Sequence, residues 1–320
     1  MTRLRDEQDL EGLCERVGEI LDIPTGVVEK DYWVAQVLRA LQTTYPGEFI
    51  FKGGTSLSKG FQLIERFSED IDVLVRDRDG DSNKVRYQRL KAMTKTAAAA
   101  VGDPGGEARR IGGDDAGLFR IEHLHYGPET EGPAFMLPYI RLDIGILGGI
   151  KPHGTRVIST LVGDVLASEA AFSPVDFDDL SPFGVPVLHP GRTLVEKLML
   201  VNTVAVRHSH DRYELRRQRS ARHFYDIHCL LGHDESCELL ADRDTFHTVL
   251  ADAERISAKH FGGVEPRPGA GFAASTAFGA RRIAFADEYA DTLSGYYFGA
   301  DPHPSFDDVC ERVEQRRELL

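Results

Sequence analysis

The chain has 320 residues, 42% hydrophobic and 28% charged, enough to bury a large core in two domains or one two-lobed domain. Its formal net charge of −13, taken alone, argues against a broad nucleic-acid-binding surface, because phosphate binding rests on Lys and Arg. No stretch approaches the ~18 uninterrupted apolar residues of a membrane helix, residues 1–9 hold no apolar run of a secretory signal, and four scattered cysteines (Cys14, Cys229, Cys237, Cys310) lack the CxxC spacing of a zinc site; a cytoplasmic protein that contacts no membrane is expected.

Residues 25–44 carry Val34, Val37, Leu38 and Leu41 at helical spacing and are predicted as a helix. The short apolar run 49–51 is predicted as a strand, followed by the Gly-rich turn 52–56 and a helix reaching about residue 64. A second strand is expected over 71–75, a long helix over 83–101, and a loop or hairpin over 102–117, which is rich in Gly and Asp. Alternation predicts strands at 118–125 and 139–147. Beyond Pro190 the pattern turns helical, over 193–206, 219–232, 242–261, 280–293 and 305–318, with 265–279 as a linker or long loop. The fold class expected is α+β and two-lobed. A mixed-sheet lobe with N-terminal helices takes residues 1–185 and a helical lobe residues 186–320, the boundary lying in the Pro-rich stretch 173–190.

The chemistry concentrates around Asp70 and Asp72. Two apart on a strand, they face the same side, where two carboxylates can share Mg²⁺ or Mn²⁺. Upstream, Lys52-Gly-Gly-Thr-Ser56 follows a strand and opens a helix. Gly53 and Gly54 let the backbone approach a phosphate closely, and the helix N-terminus presents unpaired N–H groups. The Thr55 and Ser56 hydroxyls are expected to donate to phosphate oxygens, and Lys52 to add charge. On a neighbouring strand Asp143, with Arg141 and Gly145 on its face, is expected to complete the metal set or to take the proton of an attacking hydroxyl. An ordinary outward-facing strand residue is the competing reading.

In the helical half, Thr193 and Glu196 have the spacing of a capping box. Lys197 falls at the edge of the stripe Leu194, Leu198, Val201 and Ala205, where it either snorkels or emerges towards a triphosphate. Arg222 and Asp226 are spaced as an i, i+4 surface ion pair, and the sequence leaves their role open. Six arginines (Arg207, Arg212, Arg216, Arg217, Arg219, Arg222) between 207 and 223 make a local basic stretch in an acidic chain, readable as a solvated loop or as a binding patch.

Three blocks of sequence, Glu29-Lys-Asp-Tyr-Trp33, Phe51-Lys-Gly-Gly-Thr-Ser-Leu-Ser-Lys59 and Arg66-Phe-Ser-Glu-Asp-Ile-Asp72, resemble the AbiEii/AbiGii toxin family, which includes the MenT toxins. Thr193-Leu-Val-Glu-Lys-Leu198 and Arg222-His-Phe-Tyr-Asp-Ile227 are similar to its two downstream motifs. The resemblance implies a DNA polymerase β-like nucleotidyltransferase lobe joined to a helical lobe. It implies a toxin of a bacterial toxin–antitoxin system, with a cognate antitoxin as partner. The activity implied is metal-dependent transfer of a nucleoside monophosphate from an NTP to RNA, at the 3′ end of tRNA, which blocks translation. Nucleotidylation of a protein side chain, or non-catalytic nucleotide binding, are the alternatives. By this resemblance Asp70 and Asp72 match the metal-binding acids, Ser68 the serine before them, Lys197 the family's Lys and Asp226 its later Asp. The later motif usually carries Asp at the position of His223, a departure that puts the role of that position in question.

Overall fold

The computed structural model describes all residues except 1, 2, 5–9, 69, 102–108, 115, 116, 129, 131, 134, 169–176 and 208–213, together with the side chains of 214–219. Among the described residues seven strands form one mixed sheet: β1 (Phe49–Lys52), β2 (Asp70–Val75), β3 (Arg109–Gly113), β4 (Phe119–Leu124), β5 (Ile140–Gly145), β6 (His153–Ile158) and β7 (Phe183–Leu188). Their order is β3-β4-β5-β2-β1-β7-β6. The central strand β2 runs antiparallel to β1 and parallel to β5, and β4 closes antiparallel on β5. The fold is α+β, as expected. The chain divides into two compact units, one of residues 1–61 and 68–187, the other of 62–67 and 188–320.

In the first unit alternation along the strands decides which side is buried. Ile71, Val73 and Val75 of β2, Leu142 and Ile144 of β5 and Phe49 and Phe51 of β1 form one core with Val34, Val37, Leu38 and Leu41 of helix α2 (Thr25–Thr44) and with Leu90, Met93 and Ala97 of helix α4 (Asn83–Ala100). Each such Val, Ile, Leu, Phe or Met side chain contributes roughly 1.5–3 kcal/mol of hydrophobic stabilisation. Helix α2 stops at Thr44 because Tyr45 precedes Pro46, which disfavours the helical region for the residue before it. Helix α4 starts where the Ser82 side chain accepts from the Val85 N–H. Helices α1 (Leu10–Leu21), α3 (Gly53–Lys59) and α5 (Leu161–Ala167) complete this unit's described helices.

A second, polar anchor sits at Asp179, 3% exposed. Its carboxylate accepts from the Leu4 N–H at 2.8 Å and the Tyr32 hydroxyl at 2.7 Å, while its carbonyl accepts from Gln36 at 2.8 Å. Glu29, Lys30 and Asp31 have similar work. Glu29 accepts from the Thr130 N–H and hydroxyl, Lys30 donates to the Leu137 carbonyl at 2.7 Å, and Asp31 pairs with Lys59 at 2.5 Å and accepts from the Leu161 N–H. The polar residues of the first motif therefore clamp segments of the sheet unit together.

The second unit comprises α6 (Pro190–Arg207), α7 (Glu214–Leu231), α8 (Asp234–Ala241), α9 (Arg243–His260), α10 (Arg282–Tyr296) and α11 (Phe306–Gln315). Phe224 is its aromatic hub, with ring centroids of Phe278, Phe285 and Phe306 at 5.8, 5.1 and 5.0 Å. The segment 62–67 is stitched in by backbone bonds, Phe67 N–H to Tyr296 O at 2.7 Å and Phe298 N–H to Glu65 O at 2.8 Å.

Several expectations are corrected. The helix after the Gly-rich turn ends at Lys59, not near 64, because the chain turns at Gly60 and then enters the second unit. Helix α6 begins at Pro190, whose missing N–H is harmless in a first turn, so Thr193 is no N-cap. Its hydroxyl is buried without a partner, and Glu196 pairs with Arg192 at 3.0 Å instead. Residues 265–279 take the long-loop form of the two expected, with a short 3-10 turn, and are packed down: Phe272, Ala273, Ala277 and Phe278 are buried, and Ser275 donates to Asn202 at 2.8 Å. The region 102–117 takes the hairpin form, β3 pairing with β4, with 102–108, 115 and 116 outside the described residues. All four cysteines are free thiols, and among the described residues no helix is long and apolar enough to cross a membrane.

Removing the Asp179 carboxylate strands the Leu4 N–H and the Tyr32 hydroxyl in the interior, each at a cost of about 1–3 kcal/mol. Asp179→Ala should lower the thermal unfolding midpoint measured by circular dichroism, and Asp179→Asn, which keeps one acceptor oxygen, should recover part of the loss.

Candidate functional site

Register fixes the acids of the sheet unit. Lys52 stands opposite Asp72 across β1 and β2, and Asp72 stands opposite Asp143 across β2 and β5. Asp70 stands opposite Arg141. Paired residues share a face, so Lys52, Asp70, Asp72, Arg141 and Asp143 all lie on the side of the sheet away from α2 and α4. All five are half-buried.

Gly53 opens α3 with φ +78°, a conformation that favours glycine. A Cβ there would lie 2.0 Å from Asp72 Oδ2, so the bare backbone is what lets the Gly-rich turn meet the carboxylate. Gly54 follows it in the first turn. The two hydroxyls that follow have partners within the chain. Thr55 Oγ1 donates to the Asp70 carbonyl at 2.5 Å and lies 3.0 Å from the Ser68 hydroxyl. Ser56 is buried and donates to the Gly53 carbonyl at 2.8 Å. Each hydroxyl has a single proton, and here it ties the turn to β2 or to itself. Ser68, through Thr55, belongs to the same brace.

Asp143 pairs with a neighbour on its own strand. Both its oxygens accept from Arg141, at 2.8 and 2.9 Å. The pairing with Asp143, reinforced by Asp70 and Asp72, raises the Arg141 pKa. Among the described residues no group of three or more His, Cys, Asp or Glu converges as a metal cluster. Asp70 and Asp72 form an oxygen-only donor pair beside a glycine cradle, a donor set that suits a hard divalent cation completed by substrate oxygens and water.

The downstream motif residues meet in the second unit. Asp226 is fully buried, not the surface partner of Arg222. Arg66 reaches it with two hydrogen bonds, at 2.7 and 2.6 Å, and Lys197 with an ion pair at 2.8 Å. Burial alone would raise the Asp226 pKa, but Arg66 and Lys197 outweigh it and hold the group well below the usual carboxylate range. Lys197 is itself 6% exposed, and its ammonium turns to Asp226. Arg222 instead covers the Tyr296 ring at 5.2 Å. His223, standing where the family motif usually has Asp, lies 3.3 Å from Lys197 Nζ through Nδ1. Burial first and Lys197 second push its pKa well down, so the neutral ring can accept from the ammonium. Of the basic stretch, Arg207 pairs with Glu265 at 2.6 Å; Arg212 and the side chains of Arg216, Arg217 and Arg219 lie outside the described residues.

Arg66 is the residue that sequence reasoning missed. It stood inside a quoted motif, but its partner is 160 residues away and only the structure joins them.

Residues 36–312 match the family described as nucleotidyl transferase AbiEii toxin, type IV toxin–antitoxin system. Among solved structures the chain is similar to MenT4, a nucleotidyltransferase toxin from Mycobacterium tuberculosis, with a TM-score of 0.56 and 16% identity over 92% of this chain and 84% of that one. At that identity the likeness is one of fold. No curated protein matches by sequence.

Gly53→Ala should push the Asp72 carboxylate aside and impose a strained backbone. We expect a folded protein whose nucleotide transfer falls at least tenfold, measured with labelled NTP beside a melting curve, the tenfold corresponding to about 1.4 kcal/mol at the transition state.

The depressed pKa of His223 sets a second expectation. The folded state binds fewer protons than the unfolded one, so its contribution to stability is present above about pH 6.5 and is lost as pH falls through that unfolded-state value. The slope of unfolding free energy against pH between 7 and 5 should shrink in His223→Gln, by up to about 1.4 kcal/mol per pH unit. His123 and His228, whose pKa values are also lowered, should keep part of the slope in that variant.

Proposed function

Because the chain belongs to the AbiEii family of nucleotidyltransferase toxins of type IV toxin–antitoxin systems, we propose that it transfers a nucleoside monophosphate from an NTP to the 3′ end of an RNA, with tRNA as the acceptor, and so blocks translation. The observation that carries this reading is the Asp70/Asp72 pair on one face of β2, with Gly53 against Asp72 and Asp143 in register beside it. Mere nucleotide binding has no need of a third acid aligned with the pair. A cognate antitoxin is the partner that the family implies.

In this mechanism an acceptor hydroxyl oxygen bonds to the α-phosphorus as the bond to the β-phosphate breaks and pyrophosphate leaves. Asp70 and Asp72 would hold Mg²⁺ or Mn²⁺. When bound, such an ion supplies positive charge to the attacking and leaving oxygens. The N–H groups of the turn Gly53–Ser56 hold the β- and γ-phosphates through the backbone, since the Thr55 and Ser56 hydroxyls are engaged internally. Lys52, in register with Asp72, adds a cation to that end. Asp143 orients the acceptor hydroxyl and receives its proton. Arg141 fixes the carboxylate for this task, and each oxygen keeps a second lone pair.

Lys197, held by Asp226, is proposed as a cation for an anionic ligand of the helical unit. Arg66 and Lys197 share the one carboxylate of Asp226, so the group carries surplus positive charge, which supports an anionic partner. Asp226 is then a positioning residue that keeps both cations in place rather than an acid or base.

Incubation with labelled NTPs, Mg²⁺ and total tRNA tests the proposal. Label should appear on RNA, vanish with excess chelator, and fall to background in Asp72→Ala. Label on protein instead of RNA would replace the acceptor, and full activity in chelator would remove the metal.

A further inference from the structure

The row of side chains that contains Asp70 does not end at Arg141. Arg141 stands opposite His123 across β5 and β4, and His123 stands opposite Arg109 across β4 and β3. Asp70, Arg141, His123 and Arg109 therefore lie in one line on one face of the sheet, on four adjacent strands. Two further rings join this line. Tyr139, just before β5, stacks on His123 with centroids 3.6 Å apart and planes at 18°. His125, one residue past the end of β4, lies 5.6 Å from Tyr139. Tyr139, His123 and His125 are half-buried, and Arg109 is exposed.

We propose that this shelf of stacked rings flanked by Arg109 and Arg141 is the dock for the single-stranded 3′ end of the acceptor, with a base against the Tyr139/His123 stack and backbone phosphates on the arginines. The inference rests on the RNA-acceptor reading and assigns it a place. Aromatic faces hold unpaired bases of any sequence, and guanidinium groups hold the phosphates between them. In a chain of net charge −13, cations gathered on this line are a local exception. The shelf leads directly to Asp143, whose neighbour across β4 is Ile121, two residues from His123. A strand lying along it would bring its terminal hydroxyl to the acid that orients the acceptor.

The surroundings support a built surface. The Lys30 ammonium holds the Leu137 carbonyl two residues before Tyr139, and Glu29 holds Thr130 in the same connection. Burial, His125, Arg141 and Arg109 all lower the His123 pKa, which keeps its ring neutral and suited to stacking.

A fluorescent single-stranded oligoribonucleotide with a free 3′-hydroxyl tests the dock by anisotropy, and transfer kinetics with RNA and NTP varied separately test its use. Tyr139→Ala should weaken RNA binding and raise the RNA KM about tenfold with little change in the NTP KM, in line with the loss of one base–aromatic stack. Tyr139→Phe should restore both values. Arg109→Ser, at an exposed position, should flatten the dependence of binding on log salt by about 0.7 of a unit of slope, as the loss of one phosphate contact on a single strand requires. Melting curves identify any variant that fails to fold, and Arg109→Ser then carries the test. Unchanged RNA binding in both Tyr139→Ala and Arg109→Ser would overturn the dock while leaving RNA transfer standing, and so would an NTP KM that rises as much as the RNA KM. A wild type that neither binds nor labels RNA would overturn the RNA reading and the dock together.

Discussion

Backbone pairing of β2 with its two neighbours is the constraint on which the candidate chemistry depends. It places Lys52, Asp72 and Asp143 in one line across β1, β2 and β5. The same pairing sends Ile71, Val73 and Val75 to the opposite side, into the core under α2 and α4. A slip of one residue would exchange the two sets, burying carboxylates and exposing three aliphatic side chains. The hydrophobic effect thus holds the acids in position without touching them. The Gly53–Asp72 approach and the Thr55 brace then set the distance between turn and strand.

The second unit solves a different problem. Asp226 is a carboxylate with no exposure, and isolated it would be strongly unfavourable. Two bonds from Arg66 and one ion pair from Lys197 offset that cost, at distances of 2.6 to 2.8 Å. Buried ion pairs of this kind contribute little net stability compared with apolar packing, but removing one partner leaves a bare charge behind. The arrangement therefore specifies one geometry for three side chains. His223 fits the same logic, since a neutral ring tolerates burial beside an ammonium better than a second cation could.

Much of the site was legible in sequence because it is local and periodic. Asp70 and Asp72 share a face by the two-residue period of a strand, and the Gly-Gly turn lies fewer than twenty residues upstream. Family resemblance singled out Lys197 and Asp226, but not their contact. What stayed hidden depends on long-range pairing or on residues that mislead locally. Strand β7 contains Pro186, which reads as punctuation although Val185 and Val187 are buried. Strand β6 has a mostly polar pattern, with Ile158 its one fully buried residue. Helix α1 did carry a usable signal, Leu10, Cys14 and Val17 at helical spacing, all buried. The capping-box expectation for Thr193 failed, and of the readings left open for Asp226 the surface pair with Arg222 is not the one found, for one reason: i+3 and i+4 spacing describes neighbours along a helix and is blind to what packs against it.

The six residues Gln62–Phe67 belong to the helical unit although sheet-unit residues flank them in sequence, so the polypeptide passes between the units three times. That threading rules out a simple division of the protein into halves. A truncated product ending near residue 187 would carry the Arg66 guanidinium without its carboxylate, and a product starting at 188 would carry Asp226 with only one of its two cations. Neither piece is a self-sufficient module. A gene fusion or rearrangement that exchanged the helical part for another would have to bring a matching replacement for Gln62–Phe67.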